Sequence, residues 1–293
     1  MNTRIPNHDI IAGDGAPGQW IYMLHGIFGA GRNWAGVARS LVAVRPDWGA
    51  LLVDLRQHGA SRGFAPPHTI AAAAADLDRL SDAEQKPAAA VLGHSFGGKV
   101  ALEWAASRPA GLRQVWVIDS TPEAGAPAGS AWHMLGVLRS LPETFDSRRA
   151  GIEALVSRDV ARPVAEWMAT NLERHDDRMK WRFDSRSMEE LLRDFFSADL
   201  WPVVESPPPG ISIHFVRASQ SSVLSSGAIA RIQSANANGT TFLHTLDGGH
   251  WLNADNPDGI VRLLAGSLPA GATSMRDGPA AGTGSRSAGH PTS

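Results

Sequence analysis

Six short apolar runs recur along the chain, each followed by turn residues and then by a longer segment with helical spacing. They are Trp20–Leu24, Ala50–Val53, Ala89–Leu92, Val115–Ile118, Ile211–Val216 and Thr241–Leu246. The runs are near-continuous rather than alternating, which suits strands covered on both faces, as in a parallel sheet. The segments between them predict helices over Asn33–Val44, Ile70–Leu80, Ser95–Ala106 and Pro257–Ala265. In the third, Val100, Ala101, Trp104 and Ala105 share one face; the last opens with Asn256 as N-cap and Pro257 at the first helical position. Such strand–helix alternation predicts an α/β class fold with a doubly wound, mostly parallel sheet.

The alternation breaks once. Between Asp119 and Ile211 no strand is expected, only helical patterns over Ala131–Leu141, Arg149–Val156, Val164–Leu172 and Met188–Phe196. Residues 121–206, closed by Ser206-Pro207-Pro208-Pro209-Gly210, therefore read as a helical lid inserted into a core made of residues 1–120 and 207–266. From Ser267 to Ser293, 21 of 27 residues are Gly, Ala, Ser, Thr or Pro. That leaves too little apolar area to offset ordering, so a disordered tail is expected.

Composition narrows the function classes. The 293 residues carry 27 basic and 29 acidic side chains, a net charge of −2 and a pI near 6.6. That balance argues against nucleic-acid binding. Zero cysteines exclude a disulfide scaffold, a thiolate metal site and a cysteine nucleophile. The polar stretch Met1 to Ile10 has no apolar signal region, and no run approaches a membrane span, so a cytoplasmic protein is expected. Over the inserted segment there are 15 acidic and 11 basic residues, a mildly acidic lid.

The strongest chemical signal is Gly93-His94-Ser95-Phe96-Gly97, set between a predicted strand and a predicted helix. A serine on that sharp turn is lifted above the sheet, and the small residues around it let the backbones approach closely. Ser95 is the expected nucleophile, with the Phe96 N–H as one oxyanion donor. Gly93 to Lys99 also fits phosphate-loop spacing, but Val100 stands where a hydroxyl must hold magnesium, so nucleotide binding is not expected. His25-Gly26-Ile27-Phe28-Gly29 follows an early strand and supplies the second donor from Ile27, with Phe28 in reserve. His25 and His58 read as structural side chains, and Gly59 and Ser61 as loop-shaping residues. A serine hydroxyl needs a general base, and His250 stands in a glycine-bearing loop after the last strand. The acid comes between serine and histidine in chain order. The loop after Ile211–Val216 has no carboxylate, whereas Val115–Ile118 ends directly on Asp119. Asp119 is the expected acid, with Asp247 and Asp255 as alternatives. Phe28, His94 and Trp251 are expected near the substrate.

Taken in order, H-G-I-F-G, D-L-R-Q-H-G-x-S, G-H-S-F-G-G-K, V-I-D-S-T-P and G-G-H-W-L-N-A-D-N-P resemble α/β-hydrolase-fold serine esterases. More narrowly, they resemble the group of alpha/beta-hydrolase-domain-containing protein eleven and its small bacterial esterase relatives, over about residues 18–266. The resemblance implies hydrolysis of carboxylic esters or thioesters, with a small-molecule acyl substrate and no cofactor or metal. It also implies an acid after the earlier strand and a later loop free of carboxylate, as around Ser219–Val223. The competing readings are a carbon–carbon bond hydrolase on the same fold and a ligand-binding relative without turnover. The lid aromatics Trp132, Phe145, Trp167, Phe195, Phe196 and Trp201 suggest an apolar pocket or simply lid core.

Overall fold

The computed structural model describes residues 4–270. Strands β1 (His8–Ile11), β2 (Gln19–Leu24), β3 (Trp48–Val53), β4 (Ala88–His94) and β5 (Gln114–Ile118) precede the insertion. Helices α1 (Ala35–Val44), α2 (Ile70–Glu84) and α3 (Phe96–Ala106) connect them. The insertion holds α4 (Gly129–Ser140), β6 (Thr144–Phe145), α5 (Arg148–Val156), α6 (Arg162–Ala169), β7 (Leu172–His175), β8 (Arg178–Trp181), α7 (Ser185–Ser197) and α8 (Trp201–Glu205). The chain then returns through β9 (Ser212–Ala218), α9 (Ser226–Ala235), β10 (Thr241–Leu246), α10 (Leu252–Asp255) and α11 (Pro257–Ser267).

Seven strands form one sheet in the order β1-β3-β2-β4-β5-β9-β10. Every neighbouring pair is parallel except β1 with β3. The predicted apolar runs supply six of these strands, and their continuity has a direct cause. Tyr22, Leu24, Val91, Val115 and Val117 pack on one face, while Ile21, Met23, Ala90, Leu92, Trp116 and Ile118 pack on the other. Alternate side chains leave opposite faces, so two covered faces need apolar residues at every position. Helices α2, α3 and α9 cover the first face; α1 and α11 cover the second. Asn256 caps α11 by accepting from the Gly259 N–H at 2.9 Å, with Pro257 at the first helical position.

Three expectations need correction. Strand β1 carries no apolar run: it is a short edge strand paired only with β3, half-exposed along its length. The insertion is not all-helical, because β6, β8 and β7 form a small antiparallel sheet. Its hairpin reads Leu-Glu-Arg-His and Arg-Met-Lys-Trp, with Leu172 and Met179 packing on Phe145 and Ala169. Glu173, Arg174, His175, Arg178 and Lys180 fill most of the remaining positions, so no apolar run marks the hairpin, and α6 stops at Ala169 rather than Leu172. Last, α11 runs to Ser267 and Leu268 is buried. Arg45 donates to the Ala265, Leu268 and Pro269 carbonyls at 3.0, 2.8 and 2.7 Å, so the first residues of the expected tail pack on the domain. The rest of that stretch lies outside the described residues. Among the described residues, no helix is long and apolar enough to cross a membrane.

Candidate active site

At the junction of β4 and α3, Ser95 takes φ 51° and ψ −116°, a backbone state rarely adopted by residues with a side chain. The neighbouring glycines explain how the turn fits. A Cβ on Gly93 would lie 2.0 Å from the Gly97 carbonyl oxygen, and one on Gly97 would lie 2.6 Å from that of His25. Only glycine allows backbones that close. The Ser95 N–H donates to the Ile118 carbonyl at 3.0 Å, which ties the turn to β5. Because the Phe96 N–H opens α3, it has no intrahelical acceptor by position.

Asp119 leaves the tip of β5 at φ 42° and is fully buried. The carboxyl Oδ1 accepts the Ala218 N–H at 3.2 Å, and Oδ2 lies 2.7 Å from His250 Nδ1. Burial by itself would raise this carboxyl. Hydrogen bonds from His250, Ser221 and the Ala218 N–H outweigh it and hold the group below its ordinary value. A carboxylate facing Nδ1 keeps the proton there in the neutral ring, so Nε2 carries the lone pair. The alternative acids are engaged elsewhere. Asp247 accepts from the Ser219 hydroxyl at 2.7 Å, and Asp255 from the Gly249 N–H at 2.9 Å.

Ile27, Phe28, His94, Ser95, His250 and Trp251 all line one cavity of about 170 Å³. Gly26 to Gly29 form a turn closed by the Gly29 N–H to the Gly26 carbonyl at 3.0 Å, with Phe28 at φ 60°. The Ile27 N–H makes no hydrogen bond among the described residues. His94 donates from Nε2 to the His250 carbonyl at 2.8 Å, and its ring centre lies 4.6 Å from that of His250. Burial, reinforced by repulsion from His250, pushes the His94 imidazole down to about 3, so it stays neutral and fixes the loop rather than moving protons.

His25 and His58 are equally buried. His25 donates from Nδ1 to the Gly26 carbonyl at 2.7 Å and accepts the Leu55 N–H at Nε2, 3.0 Å, joining two loops. The His58 ring packs between His25 and Phe96, and burial pushes it down to about 3. Gly59 sits at φ 51° against the Asp54 carboxylate, and Ser61 accepts the Asn7 N–H at 2.7 Å, so both shape the loop.

Sequence reasoning named Trp167 among the lid aromatics and missed the rest of the remaining wall. Asn33, Trp34 and Asn253 come from the core, while Ser130, Ala131, Met134, Val164 and Trp167 come from the insertion. Asn253 lies within the motif around His250, a signal that was available; apart from the aromatic Trp167, the insertion residues carry none. Of the six aromatics noted in the insertion, Trp167 lines the cavity and faces Trp251 with ring centres 5.8 Å apart. Phe195 packs on Phe96, Trp132 on Phe196, and Phe145 on Trp181. Among the described residues, no cluster of three His, Cys, Asp or Glu side chains could hold a metal ion.

Residues 21–263 match the family model described as alpha/beta hydrolase family. The chain is 27% identical over 278 residues to a Xenopus tropicalis protein named sn-1-specific diacylglycerol lipase ABHD11, covering 89% of this chain and 82% of that one. It is 25% identical over 249 residues to Esterase YbfF of Escherichia coli (strain K12), covering 83% and 91% respectively. A solved structure of a marine microorganism esterase superposes with a TM-score of 0.76 at 22% identity, covering 90% of this chain and 99% of that chain. That last likeness speaks to the fold.

Proposed function

The chain belongs to the alpha/beta hydrolase family, and we propose from that premise that it is a serine hydrolase of carboxylic esters or thioesters. The observation that carries the reading is the 2.7 Å contact between His250 Nδ1 and the buried Asp119, with Ser95 and the His250 ring on one cavity. In this reading His250 Nε2 accepts the Ser95 proton as Oγ attacks the acyl carbon. The Ile27 and Phe96 N–H groups then stabilise the oxyanion. As the tetrahedral intermediate collapses, His250 returns the proton to the departing alcohol or thiol, leaving the acyl group on Ser95. Water, deprotonated by His250, attacks that acyl-enzyme and releases the acid and free Ser95. Asp119 holds the ring and stabilises its cation during both halves.

Residues 121–206 act as the lid in this scheme, since Ala131, Met134, Val164 and Trp167 close the cavity from that side. The apolar wall suits an acyl chain better than the ionised dienol of a carbon–carbon hydrolase substrate. The acidic balance of the insertion favours simple ester leaving groups over a polyphosphate thiol carrier. Relatives named as a lipase and an esterase support the same class.

A fluorophosphonate probe should label the wild type at Ser95 and leave Ser95→Ala unlabelled. Beside it, p-nitrophenyl esters of graded length should be turned over by the wild type, and acyl-CoAs more slowly. In Ser95→Ala turnover should fall to a residual rate of about 10³-fold over water, as oxyanion donors alone supply. An alanine variant keeping more than roughly a tenth of kcat would refute the nucleophile.

A further inference from the structure

This chemistry leaves one buried cation unused. Lys99 stands one turn into α3, four residues beyond Ser95, and is fully buried. Its ammonium donates to the carbonyls of Glu123 at 2.6 Å, Phe195 at 2.7 Å and Ala198 at 2.8 Å. Three N–H donors thus meet three acceptors, all of them backbone dipoles. The Phe195 ring centre lies 4.7 Å from the same nitrogen. Burying an ammonium is costly even when it is fully bonded, and an apolar residue of equal length would fill the space. Packing alone does not account for a lysine here.

The acceptors mark the two ends of the insertion. Glu123 lies four residues past Asp119, on the entry segment, while Phe195 and Ala198 lie at the end of α7, on the way out. Entry and exit also bond to each other: the Gly125 N–H donates to the Phe196 carbonyl at 2.7 Å, and the Leu200 N–H to Pro122 at 2.9 Å. Shortly after the entry segment comes α4, which supplies Ala131 and Met134 to the cavity wall. At the other end of the chain of contacts, Lys99 shares its helix with the Ser95 turn.

We propose that Lys99 is a positioning residue that fastens both hinges of the lid to the helix carrying Ser95, and so sets how closely the lid closes over the acyl chain. The proposal rests on the hydrolase reading for its acyl chain, but not for the fastening itself. The groups facing the ammonium are Glu123 on the entry segment, Asp194 on α7 and Asp199 just after it; burial is the larger influence and pushes Lys99 down to about 8. Above that pH the neutral amine has two donors and a lone pair for three carbonyls, so one acceptor loses its partner.

Lys99→Met keeps the length and removes the donors. Limited proteolysis within residues 121–206 should become roughly tenfold faster than in the wild type. KM for p-nitrophenyl octanoate should rise about tenfold, with KM for the acetate ester and kcat for both changing less than about threefold. Fluorophosphonate labelling of Ser95 should persist. A folded Lys99→Met with wild-type cleavage and wild-type KM for both esters overturns the proposal. Should the variant not fold, hydrogen-exchange protection of the wild-type insertion between pH 7 and 9 decides. Protection that falls above pH 8 relative to the core sheet supports the fastening, and an unchanged ratio overturns it. If the wild type does not label at Ser95, the hydrolase reading fails, and the proteolysis and exchange measurements still decide Lys99.

Discussion

At the scale of single residues, Asp119 carries the sharpest consequence. Its carboxylate is buried, bonded to the Ala218 N–H and set 2.7 Å from His250. Under the proposed mechanism, Asp119→Asn nearly preserves shape while removing the charge that orients the ring and stabilises its cation. Folding should survive, and kcat should fall by roughly 10²–10⁴. Asp247→Asn and Asp255→Asn, whose carboxylates hold loop groups, should each cost less than about tenfold. Steady-state kinetics on one p-nitrophenyl ester compares all three. A damaging Asp247→Asn beside a mild Asp119→Asn would move the acid to the loop that carries the base. The chain carries ten tryptophans against one tyrosine, and four of the ten, Trp34, Trp48, Trp104 and Trp116, are fully buried core residues. The first three of these donate to Leu24 O, Pro269 O and Asp78 respectively.

At the scale of elements, two junctions are sensitive. The turn between β4 and α3 works because α3 approaches the end of β2 with no side chain between them. Gly97→Ala would place a methyl 2.6 Å from the His25 carbonyl oxygen and 2.9 Å from Leu24 Cβ. Backbone on both sides must then shift, costing about 1–3 kcal/mol and displacing the Ser95 turn. A lowered Tm together with slower fluorophosphonate labelling is expected; an unperturbed variant would show that the approach is less tight. The second junction is the end of α11, where Leu268 is 4% exposed and Arg45 gathers three carbonyls. Leu268→Ala should lose about 2–4 kcal/mol in chemical denaturation. Ending the chain after Gly266 should lower Tm by several degrees, because the Leu268 and Pro269 acceptors and the burial of Leu268 go together.

For the molecule as a whole, the buried imidazoles set an acid limit. His58 and His94 are pushed down to about 3, and His25 is lowered as well, chiefly by burial. In the unfolded chain each titrates near the ordinary value of 6.5. Between about 3 and 6.5 the unfolded state therefore binds more protons than the native one. Stability must fall as pH falls through that window, by up to about 1.4 kcal/mol per pH unit for each such group. Below pH 3.8 the lowered carboxyl of Asp119 adds to the loss in the same direction. Urea denaturation midpoints at pH 7, 6 and 5 check this, and a midpoint that does not move would refute neutral burial.

Read by itself, the chain determines much of its sheet and the positions from which the chemistry is argued. Doubly covered strands need unbroken apolar runs, so β2, β3, β4, β5, β9 and β10 announce themselves locally. The turn at Ser95 needs Gly93 and Gly97 within five residues, and His250 stands beside its own glycines, so both were legible as short motifs. Asp119 was legible because it ends a strand and the later loop lacks a carboxylate. Only the tertiary structure decides the rest. An edge strand such as β1 has one partner and needs no apolar run, and the hairpin of β7 and β8, rich in charge, is held by Leu172, Met179 and Trp181 packing around Phe145. The cavity wall from Ala131 to Trp167 depends on where the insertion comes to rest. Lys99 is the clearest case, since its three acceptors are carbonyls. Every residue carries a carbonyl, so no side-chain pattern could have named them; proximity alone did.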